Sequence, residues 1–188
     1  NFDLDRADVE AGSVSVTGGE NTQDFTTGGV ALNETTTTFD ASGFAGEVKV
    51  DATDATTGAT ISVDGSADGA HDLTGSANDD TFTINGPTGD AEDVDGGDGV
   101  DTLNIGVNAD FSETQMISAV ENINFDVAAG DTVTITNDDG LNAAAENITV
   151  TGGNSLSEFK FDAGSQLEGG GIKAFDAGGF SGTIDIEL

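Results

Sequence analysis

The sequence predicts an all-β fold: a right-handed parallel β-solenoid or β-roll, partly irregular, with glycine- and aspartate-rich loops. Three observations predict it. Short alternating runs rich in Val, Ile, Thr and Phe recur along the whole chain, separated by Gly, Asp and Asn. The stretch Gly96-Gly97-Asp98-Gly99-Val100-Asp101-Thr102-Leu103-Asn104 fits the nonapeptide G-G-x-G-x-D-x-U-x at every position, U being a large apolar residue. Finally, residues ~10–51 recur as ~144–187, a period of about 135 residues of the kind that marks arrays and solenoids.

In chain order, the alternation predicts strands at Ser13–Thr17, Glu47–Asp51, Thr60–Val63, Thr81–Ile84, Thr102–Ile105, Asn122–Asp126, Thr132–Thr136, Asn147–Thr151, Glu158–Phe161 and Thr183–Ile186. Helix is scarce. Ser112-Glu113-Thr114-Gln115 has the form of a capping box, which would bury Phe111, Met116, Ile117 and Val120 on one helical face, and Asp139 to Glu146 would make one further turn.

The recurrence is visible residue by residue. Phe39-Asp40-Ala41-Ser42-Gly43-Phe44 returns as Phe175-Asp176-Ala177-Gly178-Gly179-Phe180, an offset of 136. Val14-Ser15-Val16-Thr17-Gly18-Gly19 returns as Ile148-Thr149-Val150-Thr151-Gly152-Gly153, an offset of 134. The chain thus reads as a single β-solenoid segment, 1–188, covering one repeat and part of the next. The phenylalanines Phe39, Phe44, Phe175 and Phe180 are expected to stack in the core. Asp40, Asp162 and Asp176 are expected to cap turns through Asx hydrogen bonds rather than to bind metal.

A degenerate nonapeptide precedes the perfect one. Gly75-Ser76-Ala77-Asn78-Asp79-Asp80-Thr81-Phe82-Thr83 keeps the first glycine, the aspartate and the apolar residue. Asn78 stands where a glycine would be, a mild departure because Asn tolerates a left-handed backbone. In such a unit a tight loop leads into a short strand. Glycines allow the positive φ angles and bring carbonyl groups together. The aspartate adds carboxylate oxygens, and a hard cation that takes six to eight oxygens suits the result. The implied cofactor is Ca2+. Its candidate ligands are Gly75, Ala77, Asn78 and Asp80 in the first copy, and Asp95, Gly97, Gly99 and Asp101 in the second. Phe82 and Leu103, at the U positions, should point inward and stack one coil apart. Exact tandem nonapeptides would separate Asp80 from Asp101 by a multiple of nine. The actual spacing of 21 predicts an irregular coil. The intervening stretch Asn85 to Asp95 is expected to bulge outward and to offer Asp90, Glu92, Asp93 and Asp95 as further ligands.

Charge supports a cation requirement. The 188 residues hold 36 Asp and Glu against 4 Lys and Arg, a net charge of −32. Such repulsion opposes compaction unless counter-ions offset it. It also argues against nucleic acid or an anionic membrane as direct partner. The absence of cysteine removes disulfide, zinc-thiolate and thiol chemistry. No apolar run reaches the length of a membrane span. Asn1-Phe2-Asp3-Leu4 is neither a signal peptide nor a natural initiator, so the chain reads as a mature segment or an excerpt of something longer. One histidine, His71, no nucleophile-elbow serine and no Trp or Tyr leave no recognisable catalytic device or sugar platform. His71 is expected at the surface or in a turn.

Together, Gly96 to Leu103, Ala119-Val120-Glu121-Asn122-Ile123-Asn124-Phe125, the Val-Thr-Gly-Gly strand ends and the Phe-Asp-Ala blocks resemble the repeats-in-toxin class of secreted calcium-binding proteins. Within it they are similar to the lattice-forming part of alphaproteobacterial surface-layer (S-layer) proteins. The resemblance implies type I secretion, folding on extracellular calcium, and assembly at the bacterial cell surface. The expected function is non-enzymatic: a structural repeat module self-assembling with identical copies into an S-layer or filament, with a cell-surface polysaccharide as a second candidate partner. The alternatives are a calcium-dependent adhesin module that binds a surface or glycan, and the secretion and folding domain of a larger enzyme.

Overall fold

A computed structural model describes residues 12–18, 25–32, 37–44, 46–64, 71–85, 93–106, 116–135, 145–162 and 172–187. They form strands and turns, with no helix among the described residues. The strands are β1 (Ser13–Gly18), β2 (Phe25–Ala31), β3 (Thr38–Phe44), β4 (Val48–Asp51), β5 (Thr60–Asp64), β6 (Asp72–Thr74), β7 (Thr81–Asn85), β8 (Asp93–Asp95), β9 (Thr102–Gly106), β10 (Met116–Ser118), β11 (Asn122–Val127), β12 (Thr132–Ile135), β13 (Asn147–Gly152), β14 (Glu158–Asp162), β15 (Ala174–Phe180) and β16 (Thr183–Glu187).

The chain is a parallel β-solenoid. Odd-numbered strands stack in sequence order into one 8-stranded wall, β1-β3-β5-β7-β9-β11-β13-β15. The facing wall is split: β2 to β10 form a 5-stranded sheet, and β12, β14 and β16 a 3-stranded one. Every recorded pairing is parallel, from β1 on β3 to β14 on β16. The split falls at the coil of β11, where the return turn 119–121 and the outgoing turn 128–131 are both short.

Inward residues form columns. Phe39, Ile61, Phe82, Leu103, Ile123, Ile148 and Phe175 are consecutive register partners along the long wall. Opposite them Val50, Leu73, Val94 and Ile117 stack on the split wall. These residues are buried except Phe175, on the last rung, which is half-buried. Phe125 meets Phe159 edge-on at 5.3 Å, and Phe159 lies 6.0 Å from Phe175. Outward positions are polar, and the alternation of single residues fixes the register.

Each strand expected from alternation is present, within one residue of its expected ends. The expected helix around 111–120 is a correction. Met116–Ser118 is strand β10, which pairs with β8, and Ile117 and Val120 are buried in the solenoid. Residues 111–115 lie outside the described ones, as do 139–144; Ala145 and Glu146 are not helical. The outward bulge expected over Asn85 to Asp95 is also corrected at its far end. Asp93–Asp95 is strand β8, exposed-buried-exposed, with Val94 in the core; Asp90 and Glu92 lie outside the described residues. His71 is buried instead of exposed. Its Nδ1 accepts the Val48 N–H at 3.1 Å, and Nε2 lies 3.0 Å from the Asp64 carbonyl oxygen. Asp40 and Asp176 cap their own turns as expected, accepting the amides of Ser42 and Gly178 at 3.0 and 2.8 Å. The Ser42 bonds hold the Asp40 carboxyl below its usual range.

The long repeat is structural as well as sequential. β1 pairs with β3 through Ser13↔Thr38, Val14↔Phe39 and Ser15↔Asp40, then slips before Thr17↔Gly43. β13 pairs with β15 through Asn147↔Ala174, Ile148↔Phe175 and Thr149↔Asp176, and slips at the same place before Thr151↔Gly179.

Candidate metal centre

Among the connections described in full, four return the chain from the split wall to the long wall along one edge: 52–59, 75–80, 96–101 and 119–121. They stack like the strands they join. Gly75 N donates to Asp95 O at 2.7 Å, and Gly96 N donates to Ser118 O at 2.9 Å. Both nonapeptide loops therefore lie on this edge, one coil apart, and Phe82 and Leu103 are direct register partners.

The last residues of these connections form a ladder: Ala59, Asp80, Asp101, Glu121. Each acid accepts the backbone N–H of the residue one rung before it. Asp80 Oδ1 accepts from Ala59, Asp101 Oδ1 from Asp80 at 2.7 Å, and Glu121 Oε2 from Asp101 at 2.7 Å. Asp80 and Asp101 are 1% and 0% exposed.

The second carboxylate oxygens differ between the two copies. Asp80 Oδ2 accepts the Ser76 amide at 2.6 Å and the Ser76 hydroxyl at 3.1 Å. In the perfect copy the equivalent residue is Gly97, which has no hydroxyl, and its amide turns to Asp95 Oδ1 at 3.3 Å. Asp101 Oδ2 is thereby buried without any hydrogen-bond partner. Burial foremost, then the charges of Asp80, Glu121 and Asp79, push the Asp101 carboxyl up to about 6 despite the bond from the Asp80 amide. The described lysines lie elsewhere, paired with Asp72, Glu158 and Glu146.

Beside Asp101 Oδ2 lies a second oxygen. A Cβ placed on Gly96 would stand 2.7 Å from Asp101 Oδ2 and 1.9 Å from the carbonyl oxygen of Ala119. Ala119 is the one non-glycine among the described residues with positive φ, at 51°. Its left-handed turn delivers that carbonyl to the missing side chain of Gly96.

The other expected ligands are spread along this edge. Gly75 is buried where its loop touches the next, at Gly96, which was not among the expected ligands. Gly97 and Gly99 take the positive φ angles expected of them, +93° and +132°. Asn78 does not; its amide donates to the Ser76 hydroxyl at 3.1 Å, so the serine shapes the degenerate loop where a glycine shapes the other. Ala77 is exposed and has only backbone oxygen to offer. Asp95 is exposed on β8, bonded to its own loop. Among the described residues no three His, Cys, Asp or Glu side chains converge as a preformed cluster. The carboxylates stand one per rung, and any cation here would draw on backbone carbonyls as well. An orphaned buried carboxylate oxygen beside a backbone carbonyl is a hard-oxygen donor set, the kind a hard cation takes.

Ser76 and Glu121 escaped the motif-based reading. Their signal was positional: Glu121 precedes Asn122-Ile123-Asn124-Phe125 just as Asp101 precedes Thr102-Leu103-Asn104-Ile105. Comparison with family models, curated proteins and solved structures returns no match.

Proposed function

We propose that the chain is a non-enzymatic structural module of a secreted bacterial cell-surface protein, ordered by calcium in its Gly/Asp loops, whose end rungs join identical copies into a surface layer or filament. The observation that carries this reading is the stack of Gly/Asp loops along one edge of a parallel β-solenoid, with Asp101 Oδ2 buried there without a hydrogen-bond partner. Phe39, Ala41 and Phe44 on β3 are 1%, 0% and 6% exposed, and β5 pairs over Phe39 and Ala41. Their counterparts Phe175, Ala177 and Phe180 are only half-buried, and no described strand pairs with the outer edge of β15. On the facing wall every residue of β16 is exposed, Ile184 and Ile186 at 39% each. A further rung in the same register, from a continuing repeat or from an identical copy, would cover these side chains. At the other end β1 presents half-buried Val14 and Val16. A rung of an identical copy in that register is one such cover. Each large apolar side chain it covered would contribute about 1–2 kcal/mol.

Light scattering on calcium addition tests the reading. Sheets or filaments should form at about 1 mM Ca2+ and dissolve in EGTA, while magnesium, which keeps its water, should not substitute. A calcium-loaded wild type that stays monomeric at high concentration overturns assembly and favours a monomeric adhesin.

A further inference from the structure

We propose that the outer face of the 8-stranded wall carries a sugar-binding groove at Gly106, where Asn85, Asn104, Asn124 and Asp126 take the hydroxyls of a neutral oligosaccharide. Gly106 ends β9, so the groove lies at the opposite end of the strands from the acidic loops. It extends the cell-surface reading by giving a polysaccharide a place on the molecule, and its ligand set includes neither a cation nor a second copy.

Charge is segregated between the two walls. The outward positions of β7 and β9 are Thr81, Thr83 and Asn85, and Thr102, Asn104 and Gly106, with no charge among them. On the facing wall, β6 and β8 present Asp72, Asp93 and Asp95. In a chain of net charge −32, this leaves a face that meets a neutral surface without stripping water from carboxylates. Within that face Gly106 opens a gap. Its register partner on one side is Asp126, and a Cβ placed on it would lie 3.8 Å from Asn85 Oδ1 on the other. The missing side chain leaves a groove of about 300 Å³ that crosses four strands, β7, β9, β11 and β13. Rungs stand about 4.8 Å apart, so the groove is long enough for an oligosaccharide.

The groove's chemistry is that of hydroxyl recognition. A carboxamide both donates and accepts, as a sugar hydroxyl does, and a carboxylate accepts from adjacent hydroxyls with its two oxygens. Asn124 Nδ2 donates to Asn104 Oδ1 at 2.9 Å, which holds both carboxamides in place. The Thr151 hydroxyl donates to the Phe125 carbonyl oxygen at 3.3 Å and lies 3.4 Å from Asp126 Oδ1. With one carboxylate and no basic side chain in its lining, the groove disfavours an anionic sugar. Ile105 and Phe125 keep their side chains in the core, 2% and 1% exposed, so no ring offers a stacking platform and hydrogen bonds carry the recognition. Binding at one groove is correspondingly weak, and linked copies would gain by avidity.

The test is surface plasmon resonance on the immobilised, calcium-loaded full chain. It is titrated to millimolar sugar with neutral hexasaccharides of glucose, mannose and galactose, and with oligogalacturonate as the anionic control. At least one neutral sugar should bind saturably, and the anionic one about tenfold more weakly or not at all. Gly106→Thr fills the groove. Gly106 has no left-handed φ, and the nearest atom to the new Cβ is Ile84 O at 3.7 Å, so the strand should keep its circular dichroism spectrum and binding should be lost. Asn85→Ala, at an exposed position, should weaken binding about tenfold with the fold untouched. Thr74→Val, on the facing wall, should bind as wild type. Binding that survives both Gly106→Thr and Asn85→Ala, or that Thr74→Val removes equally, overturns the site. Equal or tighter binding of oligogalacturonate overturns the neutral class, and no binding of any neutral hexasaccharide overturns the proposal. These outcomes are read on immobilised single chains, so they are separate from the success or failure of assembly.

Discussion

The amide of Asp101 donates to the carboxylate of Glu121 across one rung of the solenoid edge, at 2.7 Å. With the equivalent bond from Asp80 to Asp101, it ties three successive coils by side chains where the strand ladders end. Hydrogen bonds to an ionised acceptor are among the stronger ones available. The acids most exposed to mutual repulsion are therefore also the ones that hold the turns in register.

Replacing Asp80 by alanine should be costly. It strips the Ala59 and Ser76 amides of their carboxylate acceptor in a buried setting. Each unsatisfied group costs about 1–3 kcal/mol, so urea unfolding in calcium should show a loss of about 2–4 kcal/mol. Asp185→Ala, on an exposed strand, should stay within about 0.5 kcal/mol. Similar losses in both would mean that diffuse charge governs stability.

Metal-free protein should be stabilised by mild acid. The Asp101 carboxyl is pushed up to about 6 from 3.8, so the folded chain holds this proton more tightly than the unfolded one. That contribution is complete below about 3.8 and is lost as pH rises through about 6. In chelator, going from pH 7 to pH 5 should add roughly 1 kcal/mol from this group, seen as a growing β circular-dichroism signal or a rising midpoint. Asp93, raised by burial and by Asp72 and Asp95, adds in the same direction. The Asp101→Asn variant should flatten the profile; an unchanged slope would assign the effect to other groups.

Chelation at neutral pH and low salt should convert the β spectrum towards coil. Carboxylate repulsion is then uncompensated, and an ion bound only by the folded state no longer favours it. A spectrum and melting temperature indifferent to EGTA would sink the metal requirement.

Two glycine substitutions should separate contact from conformation. A methyl group on Gly96 would fall 1.9 Å from the Ala119 carbonyl oxygen, so Gly96→Ala forces the rungs apart. Gly130, at φ +95°, has nothing within 4 Å of its would-be Cβ. Gly130→Ala should cost about 1–2 kcal/mol for the left-handed backbone alone. Thermal melts should place Gly96→Ala well below it.

Ser157 offers a check away from the acidic edge. Its buried hydroxyl accepts the amides of Gly130 and Asn154 at 2.8 and 3.0 Å, and donates to the Ala128 carbonyl at 3.0 Å. Ser157→Ala leaves these groups without it and should cost about 1–3 kcal/mol by urea unfolding. A neutral result would mean that water replaces the hydroxyl.

Much of this was legible in the sequence because a solenoid writes its core as simple alternation. Thr81-Phe82-Thr83-Ile84 and Thr102-Leu103-Asn104-Ile105 announce their strands, and their spacing announces the coil. The short rungs of the split wall were not legible. Asp93-Val94-Asp95 contributes one apolar residue, and three residues carry too little periodicity to be distinguished from a loop. Met116 to Val120 has apolar spacing that fits one helical turn as well as a strand and corner, and only pairing with β8 decides between them. At the candidate site the motif located Asp80 and Asp101 but treated them as equals. What separates them is the hydroxyl of Ser76, a residue that the pattern counts only as a missing glycine.

The division of the facing wall between β10 and β12 has a mechanical consequence. Along the 8-stranded wall every strand pairs with the next, with register slips only at β1–β3 and β13–β15, and these hydrogen bonds resist stretching. On the opposite side, among the described residues, that continuity stops between the 5-stranded and 3-stranded sheets. A rod built this way is stiff on one flank and compliant on the other. Under tension or bending, strain gathers at the coil of β11, and the rod opens towards the divided side first. Copies joined end to end would repeat that soft point at regular intervals, giving the array a preferred direction of curvature.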